Sequence, residues 1–330
     1  MAFDYSKAGV DVRKVKGMHA EIDALLRSTH CGDVLPIYGH YAGLLRRGDQ
    51  ILAMHADGVG TKVLVAQKLR KFDTVGIDCI AMNVNDIICV GARPVALVDY
   101  LALEKEDAKL TRELMKGLVE GAKEADVSVV GGETAIMRDV IKGEKGCTGF
   151  DLAATCLGVV ESGKPITGEA MKPGDAVIGL ESSGIHSNAL TLARKVLKEK
   201  KWLQELLVPT RIYVRPVLEM VNSLEVHGLA HITGGAFSKL NRIAERAGVG
   251  IELDDMPEPQ AIFRALWRAA KISEREMYRT FNMGVGMCVV LPEKDADACI
   301  SIAKRHEIRA WRIGKVTSRH GIFLEKTRLD

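Results

Sequence analysis

Long apolar runs are missing from this chain of 330 residues. No stretch approaches the ~18 consecutive apolar residues of a membrane-spanning helix, so a membrane partner is not expected. The opening MAFDYSKAGVDV lacks the basic and apolar regions of a secretory signal. Charge of one sign is missing too: Lys and Arg total 46 against 43 Asp and Glu, a net of +3. That balance gives no footing for a nucleic-acid partner. The densest basic cluster, Lys195–Lys201, reads as the solvated end of a helix. Seven cysteines are scattered at positions 31, 79, 89, 147, 156, 288 and 299, an odd number with no C-x-x-C pair. A disulfide framework and a zinc ribbon are thereby excluded, and free, mostly buried thiols in a reducing cytoplasm are expected. No internal repeat of solenoid type is visible.

What is present is length and ordinary globular composition, with 47% hydrophobic and 27% charged residues. A chain this long is expected to form two domains. Strand-like and helix-like segments alternate irregularly in both halves, which predicts an α+β architecture over a doubly wound sheet. The polar, glycine-containing stretch ESGKPITGEAMKPGD reads as a linker. It divides the chain near Ser162, into 1–161 and 162–330.

The stretch from His55 to Pro94 carries the densest chemistry. A strand-like run, Ile51 to Met54, leads to Asp57, then Gly58, Gly60, Thr61 and Lys62. An acid, flexible backbone N–H groups, a hydroxyl and a lysine this close together suit a magnesium-bound polyphosphate. The spacing is not that of a P-loop. Next comes a helix with Ile80, Val84, Ile87 and Ile88 as its apolar stripe. Asp78, Met82 and Asn85 lie away from that stripe, with Asn83 and Asp86 beside them. Asp57 and Asp86 are the obvious pair of oxygen ligands for Mg²⁺.

Similar junctions recur. Val127–Val130 reads as a buried-type strand followed by Gly131-Gly132-Glu133-Thr134, which makes Glu133 a third candidate carboxylate. Asp99 interrupts the strand Val95–Leu101 and receives no chemistry. In the second half, strand Ala176–Leu180 runs into Ser182-Ser183-Gly184-Ile185-His186-Ser187-Asn188. Ser187 and Asn188 are expected at the start of a helix, where exposed N–H groups bind anions, and His186 and Asn188 suit a substrate amide. Thr210 reads as the cap of the helix ending at Ser223. His227 and His231 flank a short strand and read as core or edge histidines. Thr233-Gly234-Gly235 then opens a further anion cradle. Asn282, Gly284 and Gly286 allow close backbone approach before a strand, and Trp267 is expected in the core.

The ordered motifs DGVGTK (57–62), GIDCIAMNVND (76–86), GARP (91–94), GGETAIM (131–137), SSGIHSN (182–188), HITGGAF (231–237) and EMYRTFNMGVGM (276–287) resemble the aminoimidazole ribonucleotide synthetase family. That family is also called phosphoribosylformylglycinamidine cyclo-ligase. It shares a superfamily with selenophosphate synthetase and thiamine-monophosphate kinase. The resemblance implies an N-terminal mixed or antiparallel sheet packed with helices that binds ATP and mediates homodimerisation, and a C-terminal substrate-binding domain. It implies ATP-dependent cyclisation of formylglycinamidine ribonucleotide, with Mg²⁺ and an iminophosphate intermediate. A paralogous enzyme acting on another small substrate, or a catalytically silent nucleotide binder, is the alternative.

By the same resemblance, Asp57, Gly58, Gly60, Thr61, Lys62, Asp78 and Asn83 hold or frame the nucleotide. Asp57, Asp86 and Glu133 hold the metal. Lys62, His186 and Asn188 act in catalysis. Ser183, Gly184, His186, Ser187, Asn188, Thr233, Gly234, Gly235 and Asn282 bind substrate. The chain departs from the family pattern in four places. VLPIYGHYAG replaces a glycine-rich loop, Asp23 stands where a basic residue is frequent, Ile136 replaces an acid, and Ala236 replaces a third glycine.

Overall fold

The computed structural model describes residues 22–144 and 146–330. The YSKAGVDV opening and most of the helix expected over Val15–Leu26 lie outside the described residues; Asp23 sits in a short helical run and is exposed.

Two mixed sheets organise the chain. The first has five strands, β1 (Gly43–Arg47), β2 (Gln50–Gly58), β3 (Arg93–Leu103), β4 (Ser128–Ile136) and β5 (Phe150–Val160), in the order β1-β2-β5-β3-β4. Only β3 and β4 are parallel neighbours. The second sheet has seven strands. Its strands are β6 (Ala176–Glu181), β7 (Gly228–His231), β8 (Gly250–Leu253), β9 (Val285–Leu291), β10 (Ala310–Thr317), β11 (Gly321–Leu324) and β12 (Thr327–Arg328), in the order β12-β11-β8-β10-β6-β9-β7, so β7 forms one edge beside β9. The α+β architecture with two sheet-based halves is as the sequence predicts. Residues 161–175, between β5 and β6, contain no helix or strand.

Helix α1 (Lys62–Leu69) follows β2, and α2 (Asp73–Ile88) packs on the inner face of the first sheet. Every residue of α2 from Val75 to Ile88 is buried. The sheet covers its apolar stripe, and the second half of the chain together with α3 (Ala108–Ala125) covers the rest. The α2–α3 crossing is close because Gly76 faces α3 backbone. A Cβ on Gly76 would stand 2.3 Å from Leu118 N and 2.4 Å from Leu114 O. Helix α3 starts three residues before the expected Thr111, since the Asp107 carboxylate accepts the Leu110 N–H at 3.0 Å and caps it.

The expected buried strand at 127–130 is different. Strand β4 runs straight through Gly131-Gly132-Glu133-Thr134 to Ile136 and is mostly exposed. It is the edge strand of the sheet, and its side chains are exposed on both faces. The outer face of this sheet also exposes Met54, Val98 and Tyr100.

Candidate active site at the seam between the two sheets

The polar residues of α2 are buried because each finds a partner. The Asn83 amide accepts from Asp57 N (3.1 Å) and donates to Asp57 O (3.1 Å) and Cys79 O (2.9 Å). Asn83 therefore clamps the backbone of Asp57 at the end of β2. Asn85 reaches across to the second half, donating to Arg211 O at 2.9 Å and accepting from Tyr213 N at 3.0 Å. Asp78 accepts from both Thr210 N (2.7 Å) and Thr210 Oγ1 (2.6 Å). Thr210 is thus tied to α2 and does not cap the helix Val214–Ser223, whose N-cap Tyr213 makes no side-chain cap.

Lys62 departs from its expected role. Its side chain is wholly buried, with Nζ 2.9 and 2.8 Å from the two Asp78 oxygens and 2.6 Å from Val208 O. A buried ammonium is stable only when paired and hydrogen-bonded, and this one has both an ion pair and two hydrogen bonds. Burial lowers its pKa while Asp78 opposes the shift. Lys62 and Asp78 join the halves of the chain through Val208 and Thr210.

Asp57 and Asp86 lie on facing elements: Asn83 of α2 holds the Asp57 backbone, and Asp86, one turn further along α2, lies 3.5 Å from His55 Nε2, two residues before Asp57 on β2. Asp57 Oδ1 accepts the Gly58 N–H at 2.8 Å. Burial raises the Asp57 pKa, the Gly58 bond opposes this, and the Asp86 charge adds to it. Asp86 accepts from His231 Nδ1 at 2.7 Å and lies 3.5 Å from His55 Nε2. Burial pushes its pKa up, but His231, Lys239 and His55 outweigh burial and the net shift is downward. Gly60, at φ +64°, turns the chain from β2 towards α1, and Thr61 Oγ1 meets Thr191 Oγ1 at 3.2 Å across the seam.

Glu133 is not part of this pair. Strand register sets Asp57, Ala154, Asp99 and Gly132 in one cross-strand row, and Gly58, Ala153, Tyr100 and Glu133 in the next. Adjacent rows face opposite sides of a sheet, so Glu133 points to the outer face while Asp57 points towards α2. Its carboxylate accepts its own neighbour's N–H, Thr134, at 2.8 Å. Among the described residues no three His, Cys, Asp or Glu side chains form a metal-holding group. Two carboxylates suffice for Mg²⁺ when phosphate oxygens complete the shell. Asp57 and Asp86 fit Mg²⁺ on those terms.

The SSGIHSN segment meets the acids through His231. The His186 and His231 ring centroids are 6.4 Å apart. His186 adopts φ +62° and its Nε2 accepts Ser183 N at 3.3 Å, which leaves the ring proton on Nδ1. Burial holds its pKa well below the ordinary value, with His231, Lys62 and Arg211 adding to the effect, so the ring is neutral. His186 Nδ1, Ser187 Oγ and Asn188 Nδ2 are buried without a hydrogen-bond partner. None caps a helix: α4 (Leu190–Val196) begins after Ala189, which has no side-chain cap. Unsatisfied buried donors side by side are rare in a folded chain and point to a ligand.

Other expected substrate groups are internal. Ser183 Oγ donates to Pro209 O at 2.6 Å. Asn282 donates to Gly184 O at 2.9 Å and accepts from Ser182 Oγ at 3.1 Å. Both shape the loop. Gly234 lies next to Asn188, since a Cβ on Gly234 would stand 3.6 Å from Asn188 Oδ1, and Gly235 has φ +86°. Ala236 has φ +43°, a conformation that glycine accepts more readily.

Sequence reasoning passed over His55, which lies 3.5 Å from Asp86, and over Lys239, whose ammonium stands 5.7 Å from the Tyr41 ring centroid. Only their place near two motifs could have marked them. His227 takes Asp175 at 2.7 Å and Glu225 at 3.1 Å, apart from His231. A cavity of about 640 Å³ beside Arg70, Glu104, Lys105 and Thr148 lies away from all of these residues.

The fold and seam define a class. Residues 39–160 match the family AIR synthase related protein, N-terminal domain, and residues 172–326 match AIR synthase related protein, C-terminal domain. The fold is similar to thiamine monophosphate kinase from Aquifex aeolicus (TM-score 0.66, 18% identity, 97% of this chain and 99% of that one). It is also similar to a chain of the HypE-HypF complex (TM-score 0.69, 20% identity, 92% and 95%). Within the class, phosphoribosylformylglycinamidine cyclo-ligase of Methanothermobacter thermautotrophicus is 49% identical, over 96% of this chain and 94% of that protein. The Thermococcus kodakarensis enzyme of the same name is 48% identical, over 97% of each. The chain belongs to the phosphoribosylformylglycinamidine cyclo-ligase family. Among its described residues no helix is long and apolar enough to cross a membrane.

Proposed function

We propose that the chain closes the imidazole ring of aminoimidazole ribonucleotide from formylglycinamidine ribonucleotide, consuming ATP and releasing ADP and phosphate. The formyl-amide oxygen takes the terminal phosphoryl group of ATP, giving an iminophosphate and ADP. An amidine nitrogen of the same molecule then attacks the activated carbon and loses a proton, and phosphate departs with the former amide oxygen. The chain's task is positioning and charge neutralisation.

The observation that carries this reading is that His231, hydrogen-bonded to Asp86, stands beside His186, whose donor and those of Ser187 and Asn188 are buried and unpartnered. Asp57 and Asp86 would hold Mg²⁺, which supplies charge neutralisation of the polyphosphate when bound. Neutral His186 donates from Nδ1, and Asn188 from its amide, to orient the formyl amide. Gly234 and Gly235 let backbone approach the ribose phosphate. Residues 1–161 take the nucleotide and 162–330 the ribonucleotide. The exposed face with Met54, Val98 and Tyr100 supports pairing with a second copy there; sedimentation of the purified chain as a monomer would remove that element. The cytoplasm is the compartment that fits a substrate of this kind and free thiols.

The deciding experiment is steady-state ADP release by the purified chain with formylglycinamidine ribonucleotide. Substrate-dependent release with formation of the aminoimidazole product is expected. No release at millimolar substrate rejects the assignment.

A further inference from the structure

With Lys62 committed to Asp78, the acid pair has a different lysine beside it. Lys239 follows the Thr233-Gly234-Gly235 turn, in the 3₁₀ segment Ala236–Leu240. Its Nζ donates to the hydroxyl of Thr233, a buried side chain. The ammonium also stands 5.7 Å from the ring centroid of buried Tyr41, and Arg242 stands 5.2 Å from that ring. Its partner Thr233 lies two residues beyond His231, whose Nδ1 is 2.7 Å from Asp86 Oδ1, and among the described residues Lys239 has no carboxylate within ion-pair distance. A partly buried ammonium with one neutral acceptor has two N–H donors left over. Such a group is stable where an anion completes its shell. A carboxylate-bound Mg²⁺ is itself completed by phosphate oxygens, so the anion that suits both is a phosphate.

We propose that Lys239, pinned by Thr233 and shelved on Tyr41, is the cation of a phosphate subsite beside Asp57 and Asp86. This rests on the reading of the seam as a nucleotide and ribonucleotide site. It moves the role of phosphate-neutralising lysine from the DGVGTK motif to the turn of the second half. Two phosphates of the reaction share this chemistry: the terminal phosphate of ATP and the 5′-phosphate of the ribonucleotide.

The test is calorimetry on the full chain with two probes, a nonhydrolysable ATP analogue and ribose 5-phosphate. Wild type is compared with Lys239→Met and Lys239→Gln. Both variants are expected to melt near the wild-type temperature, because the replaced ammonium makes only one hydrogen bond to protein. Loss of affinity of about tenfold or more for one probe, with the other unchanged, supports the subsite and says which phosphate it takes. Loss for both probes supports it as a shared subsite. Wild-type affinity for both probes in both variants, or no binding of either probe by wild type, overturns it. Failure of ring closure by wild type, alongside Lys239-dependent probe binding, would sink the proposed reaction and leave the subsite standing.

Discussion

His231 Nδ1 lies 2.7 Å from Asp86 Oδ1, joining the edge strand of the second sheet to the central helix of the first half. Asn85, the neighbouring residue on that helix, approaches the other nitrogen, Nε2, at 3.4 Å. One imidazole therefore bridges consecutive α2 residues. The acid proposed for Mg²⁺ is oriented by the domain proposed for substrate.

That relationship separates two functions of Asp86. Asp86→Asn keeps an oxygen that can accept from His231 and should fold like wild type, yet it removes the charge. Turnover is expected to fall by about a hundredfold or more. Asp86→Ala should add a folding cost of about 1–3 kcal/mol, because His231 loses its buried partner. Urea unfolding and ADP release on the same preparations check both. Full turnover in Asp86→Asn would remove the metal assignment.

Lys62→Met should destabilise by about 3–5 kcal/mol, since it leaves Asp78 buried and uncompensated. Lys62→Met combined with Asp78→Asn should cost clearly less than the sum of the single changes. A double-mutant cycle in urea measures this. If Lys62→Met kept its stability and lost only nucleotide affinity, Lys62 would regain the phosphate role.

Gly76→Ala tests the helix crossing. The added methyl would meet α3 backbone at 2.3 to 2.6 Å, and backbone cannot rotate away as a side chain can. A loss of about 3 kcal/mol or more is expected, at the upper end of overpacking costs. Differential scanning calorimetry reads it. An unchanged melting temperature would mean that α2 and α3 are not apposed in this way.

Stability should decline on mild acidification. Burial, with help from Arg246 and Arg242, lowers the His40 pKa to about 4. Burial also holds His186 well below its ordinary value. Both histidines would accept a proton in the unfolded chain below about pH 6.5, while the folded chain refuses it. Unfolding stability is therefore fully present above about pH 6.5. It falls as pH drops from there towards 4, by at most about 1.4 kcal/mol per pH unit for each histidine. Urea midpoints at pH 7, 6 and 5 provide the measurement. His40→Gln should flatten the slope by up to one proton, and an unaltered slope would count against burial of a neutral His40.

The sequence by itself determined the element types, the two halves and the motif residues that meet at the seam. Those are matters of local period, turn chemistry and motif order, and on that basis Asp57, Asp86, His186 and Asn188 stand out as candidates. Only the tertiary structure decided which polar groups are free. Lys62 is paired with an acid 16 residues away and donates to a carbonyl 146 residues away, and Asn282 is used by a loop 98 residues away. Glu133 is removed from the acid pair by strand register, because a side chain one residue along points to the opposite face. Lys239 emerges because, among the described residues, no carboxylate stands within ion-pair distance of it. Whether a buried charge is satisfied depends on groups brought together by folding, and no local pattern along the chain encodes it.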